Sequence, residues 1–449
     1  MGKVIEFIDF KIFRNNEQKY VYSIKDNKIC EVDERVIRLL DQSGKGYQEI
    51  QDVMIDVFTE VEFGEIMSQL DEYGFIEKEE GEELLDNRTS EISSIILLVA
   101  QDCNLRCSYC YADGGDYKNT GIMNVETAKK SIDFLVKKTK NKQIAICFFG
   151  GEPLMNFEII QAVVDYCHLI EQQSDVVFGF TMTTNGTMIS EKIQDFIIKN
   201  RIRVQISIDG DKDIHDENRY YSKNVGSHDI VLEKTKKLRE NRLIDARATI
   251  TPKELNITYI YDYLNSLGFD QITLSPAFNL FDYNEYELIA DAYIDFYKEF
   301  EMRIKDKKYD EVKNNRMFIK ELRDIHKSGV RKVACGAGGN LYAIDINGEI
   351  YPCQRFVGTL EQSLGNVFEG DDKKERFIKS IEIGAHLKCQ ECWARNLCLG
   401  GCFHDNYEST GTVNLSSHQF CEFKKKVAEE VIYIYLRLSD EEIREVLGD

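Results

Sequence analysis

Thirteen cysteines stand in a chain of 449 residues, and ten of them fall into spaced groups. The first group is Cys103-Asn104-Leu105-Arg106-Cys107-Ser108-Tyr109-Cys110. Thiols at i, i+4 and i+7 can wrap one small inorganic cluster, and thiolates are the usual ligands of iron–sulfur clusters. On a four-iron cluster, three ligands leave one iron open to a substrate or cofactor. A zinc loop competes, but a structural zinc site closes four ligands, and no fourth Cys or His lies nearby. The second group is Cys335, Cys353, Cys389, Cys392, Cys398, Cys402 and Cys421. A zinc ribbon over 389–402 competes there, and it leaves the two upstream cysteines and Cys421 unused. Cys30, Cys147 and Cys167 read as ordinary buried thiols, because free Cys behaves as a small hydrophobe.

Three polar turns follow the first cysteine group. Gly150-Gly151-Glu152-Pro153 comes after one apolar strand, Thr184-Asn185-Gly186 ends the next, and Ser207-Ile208-Asp209-Gly210 ends a third, with Arg219 beyond it. Each alone is an ordinary turn; their order at successive strand ends makes chance a poor account. Paired glycines let a backbone approach closely, and a carboxylate suits an ammonium group.

These residues need a scaffold. Strands are expected at Ser94–Ala100, Ile144–Phe149, Val177–Thr183, Arg203–Ile208, Arg247–Thr251 and Gln271–Ser275, alternating with helical stretches. Such alternation predicts an α/β fold with a parallel sheet, open or partly closed as a barrel. Ligands in these folds sit at the carboxyl ends of the strands. Residues 1–85 read as a separate unit, with strands at Val4–Ile12, Lys19–Ile24 and Lys28–Val32, then helices near Asp33–Leu40, Tyr47–Phe58 and Glu62–Tyr73. The charged run Glu77–Glu83, with Asp86–Thr89, reads as a linker. The barrel spans 90–282, a helical bridge 283–330, and the cysteine-rich part 331–449, ending in a helix at Glu422–Leu438.

The three-cysteine run with Tyr109 before its last Cys resembles the signature of the radical S-adenosylmethionine (SAM) superfamily. The resemblance implies a partial (β/α)6 barrel and a four-iron cluster whose open iron is chelated by SAM. It implies reductive cleavage of SAM to a 5′-deoxyadenosyl radical that takes a hydrogen atom from the substrate. It places Tyr109 beside the adenine and Gly150, Gly151 and Glu152 at the methionine amino group. Asn185, Ser207 and Asp209 would serve the ribose and carboxylate, and Arg219 would pair with that carboxylate.

The C-terminal array, with Gly348-x4-Cys353 and Cys389-x2-Cys392-x5-Cys398-x3-Cys402, resembles the SPASM domain of peptide- and protein-modifying members. That resemblance implies two auxiliary four-iron clusters, three clusters in all. Cys389, Cys392, Cys398 and Cys421 would hold one; Cys335, Cys353 and Cys402 would hold the other. Fully ligated members carry a further cysteine six residues after the first. Leu341 stands there, which implies an open iron unless Cys30, Cys147 or Cys167 reaches it. In anaerobic sulfatase-maturing enzymes an Asp follows the matching second cysteine; Gln354 stands here and counts against that activity. The N-terminal unit resembles, in pattern and placement, the winged-helix-like domain that recognises leader peptides. An added leader strand is expected beside Lys28–Val32.

The leading expectation is a maturase of a ribosomally made precursor peptide that joins cysteine sulfur to carbon, of the sactipeptide or ranthipeptide kind. An open iron could hold the substrate sulfur as a thiolate. A related maturase making a carbon–carbon link or oxidising one side chain, as in sulfatase maturation, is the alternative. A non-catalytic iron–sulfur carrier is the third reading, and it needs no SAM pocket. A reducing partner such as a flavodoxin or ferredoxin is implied. The net charge of -21 argues against a nucleic-acid partner, and no run reaches the roughly 18 apolar residues of a membrane helix. A start meeting acidic residues at once argues for a cytoplasmic protein, where thirteen cysteines favour metal over disulfides.

Overall fold

A computed structural model describes residues 4–77, 91–222 and 225–448. The expected linker lies outside the described residues apart from Glu77.

Six strands form the centre: Ser94–Gln101, Gln143–Gly150, Val177–Thr184, Arg203–Ser207, Ile244–Ile250 and Ile272–Pro276. They lie side by side in chain order, and every neighbouring pair is parallel. The first is covered on both faces, so it reads as a continuous apolar run, Ile95 to Ala100. The fifth starts earlier than its expected Arg247, because Ile244, Ala246, Ala248 and Ile250 form one buried face with period two. Helices such as Val125–Lys138, Phe157–Glu171 and His228–Glu240 fill the crossovers.

The sheet does not stop at its first strand. Leu341–Ile344 pairs parallel to Ser94–Leu97 on the outer side, and Glu349–Tyr351 and Gly365–Asn366 follow antiparallel. The cysteine-rich part therefore grows out of the barrel's own sheet. Helices Glu285–Lys305, Arg316–His326 and His418–Arg437 pack together beside it. Among the described residues no helix is long and apolar enough to cross a membrane.

In the N-terminal region, Phe10–Asn15, Gln18–Ser23 and Lys28–Val32 form an antiparallel meander. The expected single strand Val4–Ile12 is broken. Val4–Ile5 pairs with Lys45–Gly46, and the Ile8 N–H turns away to the carbonyl of Phe75, 3.1 Å. Helices follow at Glu34–Leu40, Tyr47–Val53 and Glu60–Glu72; the second is shorter than expected because the chain turns at Met54, whose side chain is buried. Val21 faces these helices, whereas Tyr20 and Tyr22 face the rest of the molecule with Phe13. Phe13 meets Trp393 and Tyr433 edge-on, and Asn396 donates to the Ile24 carbonyl. The meander is thus fastened to the loop that carries Cys392 and Cys398.

Candidate active site

Cys103, Cys107 and Cys110 lie in the loop that leaves the first strand, at the carboxyl edge of the sheet. They line a cavity of about 310 Å³. Burial pushes the Cys103 thiol up to about 12, with Glu152, Cys107 and Cys110 adding to the shift. Leu105 N–H (3.4 Å) and Asn185 Nδ2 (3.7 Å) donate to Cys103 Sγ, and Arg219 Nη1 (3.7 Å) donates to Cys107 Sγ. Neutral at ordinary pH when empty, these thiols become thiolates on binding a metal cluster.

Gly150 and Gly151 have a tight steric reason. A Cβ on Gly150 would lie 2.0 Å from the Ala100 carbonyl oxygen, and one on Gly151 would lie 2.2 Å from the Asp102 carbonyl oxygen. Two bare backbones let the second strand's end press against the cysteine loop and form the cavity floor. Tyr109, Asn185, Ser207 and Arg219 also line the cavity, as expected of cofactor contacts.

Glu152 and Asp209 are placed differently from expectation. Both are fully buried and neither reaches the cavity wall. Glu152 accepts from Thr184 Oγ1 (2.6 Å) and from the N–H groups of Asn185 (2.8 Å) and Leu154 (3.0 Å). Burial still holds its carboxyl above the usual range. Asp209 accepts from Tyr109 Oη, Arg219 Nε (3.2 Å) and Thr249 N–H (3.0 Å). Their carboxylates clamp strand ends and orient cavity residues. His215, behind Asp209, is held neutral: burial, then Arg219 and His228, lower it to about 3.

The seven C-terminal cysteines fall into two sets by mutual influence. Cys353 is pushed up to about 12, mainly by burial and then by Cys402 and Cys335; Cys402 rises to about 11, also by burial, with Cys335 contributing. Cys389 (about 12) answers to burial and to Cys398, Cys392 and Cys421. Cys167 is in the barrel core, Cys30 packs in the N-terminal core, and Cys147 lines the first cavity. None of the three is grouped with the Cys335 set. Leu341 lies in the strand paired with Ser94. Among the described residues no three acidic, His or Cys side chains are arranged for a single metal ion. Thiol donors set around a space suit a larger cluster.

A second cleft, about 550 Å³, opens beside Cys402 and is lined by His404, Asp405, Glu408 and Lys118. Tyr111, Ala112, Tyr117, Asn279 and Arg355 line both this cleft and the first cavity. The two spaces therefore adjoin, with the first thiol set at one end and Cys402 at the other.

Residues 97–258 match the family model of the radical SAM superfamily. An uncharacterized protein of Methanocaldococcus jannaschii is 32% identical over 248 residues, 52% of this chain and 83% of that protein. The chain belongs to the radical SAM superfamily. This radical SAM enzyme is 26% identical to a cysteine-type anaerobic sulfatase-maturating enzyme of Clostridium perfringens, over 77% of this chain and 97% of that protein. It is 24% identical to the radical SAM cyclopropyl synthase TigE of Paramaledivibacter caminithermalis, over 92% and 95% of the two chains. In fold it resembles the crystal structure of anSMEcpe with bound AdoMet (TM-score 0.65, 19% identity, 79% and 98% covered). It also resembles Streptococcus suis SuiB bound to precursor peptide SuiA (TM-score 0.52, 16% identity, 93% and 100% covered). It is a radical SAM enzyme of the SPASM maturase type, and it binds SAM and the iron–sulfur cluster that this chemistry requires.

Sequence reasoning missed part of this radical SAM cavity. Arg247 and Arg355 line it with Arg219, so three guanidinium groups face one space. That charge suits an anionic group such as the methionine carboxylate. Arg247 looked like an ordinary strand residue, and its outward-versus-inward direction depends on register. Arg355, two residues after Cys353, carried a visible signal: a cation beside a thiolate ligand. Tyr111 and Tyr117, whose hydroxyls lie 3.3 Å apart, had none.

Proposed function

We propose that the protein is a peptide maturase that joins a cysteine sulfur to carbon in a ribosomally made precursor peptide. The observation that carries this reading is the adjoining pair of cavities, which puts the first thiol set and the Cys335/Cys353/Cys402 set on one substrate space. Cys103, Cys107 and Cys110 would hold the SAM-binding cluster, Cys389, Cys392, Cys398 and Cys421 a closed auxiliary cluster, and Cys335, Cys353 and Cys402 an auxiliary cluster left open where Leu341 stands. With SAM and these clusters bound, the site would supply a hydrogen-abstracting radical, an electron acceptor, and an iron able to take a thiolate.

The chain's own residues do the rest. Tyr109, Asn185, Ser207 and Arg219 position the cofactor, and Arg219 and Arg247 neutralise its carboxylate. Tyr111 and Tyr117 form the wall across which substrate passes from cleft to cavity, with their aromatic faces excluding water. In the net reaction the target carbon loses a hydrogen atom, the thiol loses a proton, a C–S bond forms, and one electron leaves. The precursor's leader would add to the outer edge of Lys28–Val32, which has no strand partner among the described residues. The opposite edge, Phe10–Asn15, is occupied, since Lys11 and Phe13 contact Trp393.

A second reading, oxidation of one side chain or carbon–carbon bond formation, is supported by the sulfatase-maturating and cyclopropyl synthase relatives. Gln354, at the cavity wall, weakens the sulfatase form, because an amide cannot act as a carboxylate base. The test is anaerobic turnover of a Cys-containing precursor with tandem mass spectrometry. A product lighter by two hydrogens, with the cysteine no longer alkylatable, supports the thioether. The same mass loss with an alkylatable cysteine selects the second reading. For the leader role, Glu31→Pro in the edge strand should weaken precursor binding; unchanged binding would refute it.

A further inference from the structure

Arg355 sits where the two cavities meet, and nothing in the proposed chemistry yet uses it. Its Nη1 donates to Cys402 Sγ at 3.5 Å, its Nη2 pairs with Asp405 Oδ1 at 2.6 Å, and its guanidinium lies 5.4 Å from the Tyr111 ring centroid. Its Nε is buried with no hydrogen-bond partner. A long cation is therefore held on three sides against one thiol of the Cys335/Cys353/Cys402 set. The other two thiol sets differ in kind. Cys107 also receives an arginine, but Arg219 answers to the fully buried Asp209. Lys424, near Cys398, is paired with Glu321 at 3.0 Å. Asp405 is instead about one-quarter exposed, like Arg355 itself, so water weakens the neutralising pair at this set alone.

We propose that Arg355 is a positioning residue that sets the reduction potential of the cluster held by Cys335, Cys353 and Cys402, making it the stronger electron acceptor of the two auxiliary clusters. A hydrogen bond and a positive charge at a ligand sulfur stabilise the reduced, more negative form, and so raise the potential. Asp405 opposes this by drawing the guanidinium and adding negative charge nearby. Because Arg355 lines the substrate cleft as well, the charge is placed where the electron released in C–S bond formation has the shortest way out. The inference rests on the maturase reading for its purpose, and not for its measurement.

The experiment is anaerobic redox titration of the reconstituted holoenzyme, followed by electron-spin spectroscopy, with Cys103, Cys107 and Cys110 replaced by Ala so that only auxiliary clusters report. Arg355→Met should shift one auxiliary signal to lower potential and leave the other in place. Arg355→Lys, which keeps the charge but not the planar fork, should shift it by less. Asp405→Asn should shift the same signal upward. Opposite signs for the two partners are what a merely structural role would not produce. In otherwise native enzyme, product formed per SAM cleaved should fall several-fold in Arg355→Met and recover in part in Arg355→Lys. If Arg355→Met and Asp405→Asn leave both signals unmoved, or move them the same way, the proposal is overturned. Should Arg355→Met lose its iron, the Arg355→Lys and Asp405→Asn shifts decide it alone. A correct pair of shifts with no thioether product would keep this role for Arg355 and reject the maturase reading instead.

Discussion

The two ends of the substrate space hold their thiols by different means. At the barrel end, Cys103, Cys107 and Cys110 follow a buried strand, and the parallel register delivers Asn185, Ser207 and Arg219 to the same cavity. Buried carboxylates, Glu152 and Asp209, lock those strand ends together. At the other end, Cys389, Cys392, Cys398 and Cys402 ride on single helical turns and tight loops. Leu399, Gly400 and Gly401 there are three successive left-handed residues, at φ 55°, 78° and 76°. Cys421 comes from the first turns of the long helix His418–Arg437. One site is set by sheet register, the other by local turn chemistry and a brace. Sheet register tolerates no loose strand end, while turns tolerate no added side chain.

The comparison can be broken most severely at the barrel end. Replacing Cys103, Cys107 and Cys110 together by Ala should remove about four of about twelve iron per chain, from three four-iron clusters, and abolish SAM cleavage, with the remaining iron still bound. Iron assay and SAM cleavage in the same preparation check this; full cleavage would contradict the assignment.

Two glycines sharpen the contrast. Gly151→Ala drives a methyl into the Asp102 carbonyl and should deplete the first cluster only. Gly401→Ala places a Cβ 2.5 Å from the Phe420 ring at a positive φ, and should deplete auxiliary iron while the SAM-binding signal persists. Electron-spin spectra of the reduced variants distinguish the two; equal loss from both ends in either variant would mean the sites are not built independently.

A smaller effect is expected at the buried clamp. Glu152→Ala orphans the Thr184 hydroxyl and two backbone N–H groups, at about 1–3 kcal/mol for each buried group left unsatisfied. Denaturant unfolding of the apo protein should show that loss, and Glu152→Gln, which keeps an acceptor oxygen, should lose less. The smallest effect concerns pH. His215 titrates at about 3 when folded, against an ordinary 6.5, so between these values the unfolded chain binds the extra proton. Its contribution is fully present above about pH 6.5 and is lost as pH falls toward 3. Thermal unfolding at pH 7 and pH 5 should show a shallower decline for His215→Asn than for the native chain.

Much of this was legible in the sequence. The ten ligand cysteines declared themselves by spacing, because a cluster needs several thiols close together and little else produces such runs. The six barrel strands were readable within a few residues, since burial on both faces demands apolar runs. The glycine pair, Asn185, Ser207 and Arg219 followed from their places at strand ends. The tertiary structure alone decided which polar residues face the cavity and which brace it. Glu152 and Asp209 differ from Asn185 only in direction, and direction comes from register and twist. It also decided that Leu341–Ile344 extends the barrel sheet beside Ser94–Leu97, and that the N-terminal meander is fastened to Trp393. These are contacts across hundreds of residues, and short-range pattern carries no record of them. Arg355 shows the division at one residue. Its cation beside Cys353 was visible in the chain, but its bond to Cys402, forty-seven residues on, exists only because folding closes the loop that brings the two thiols to one space.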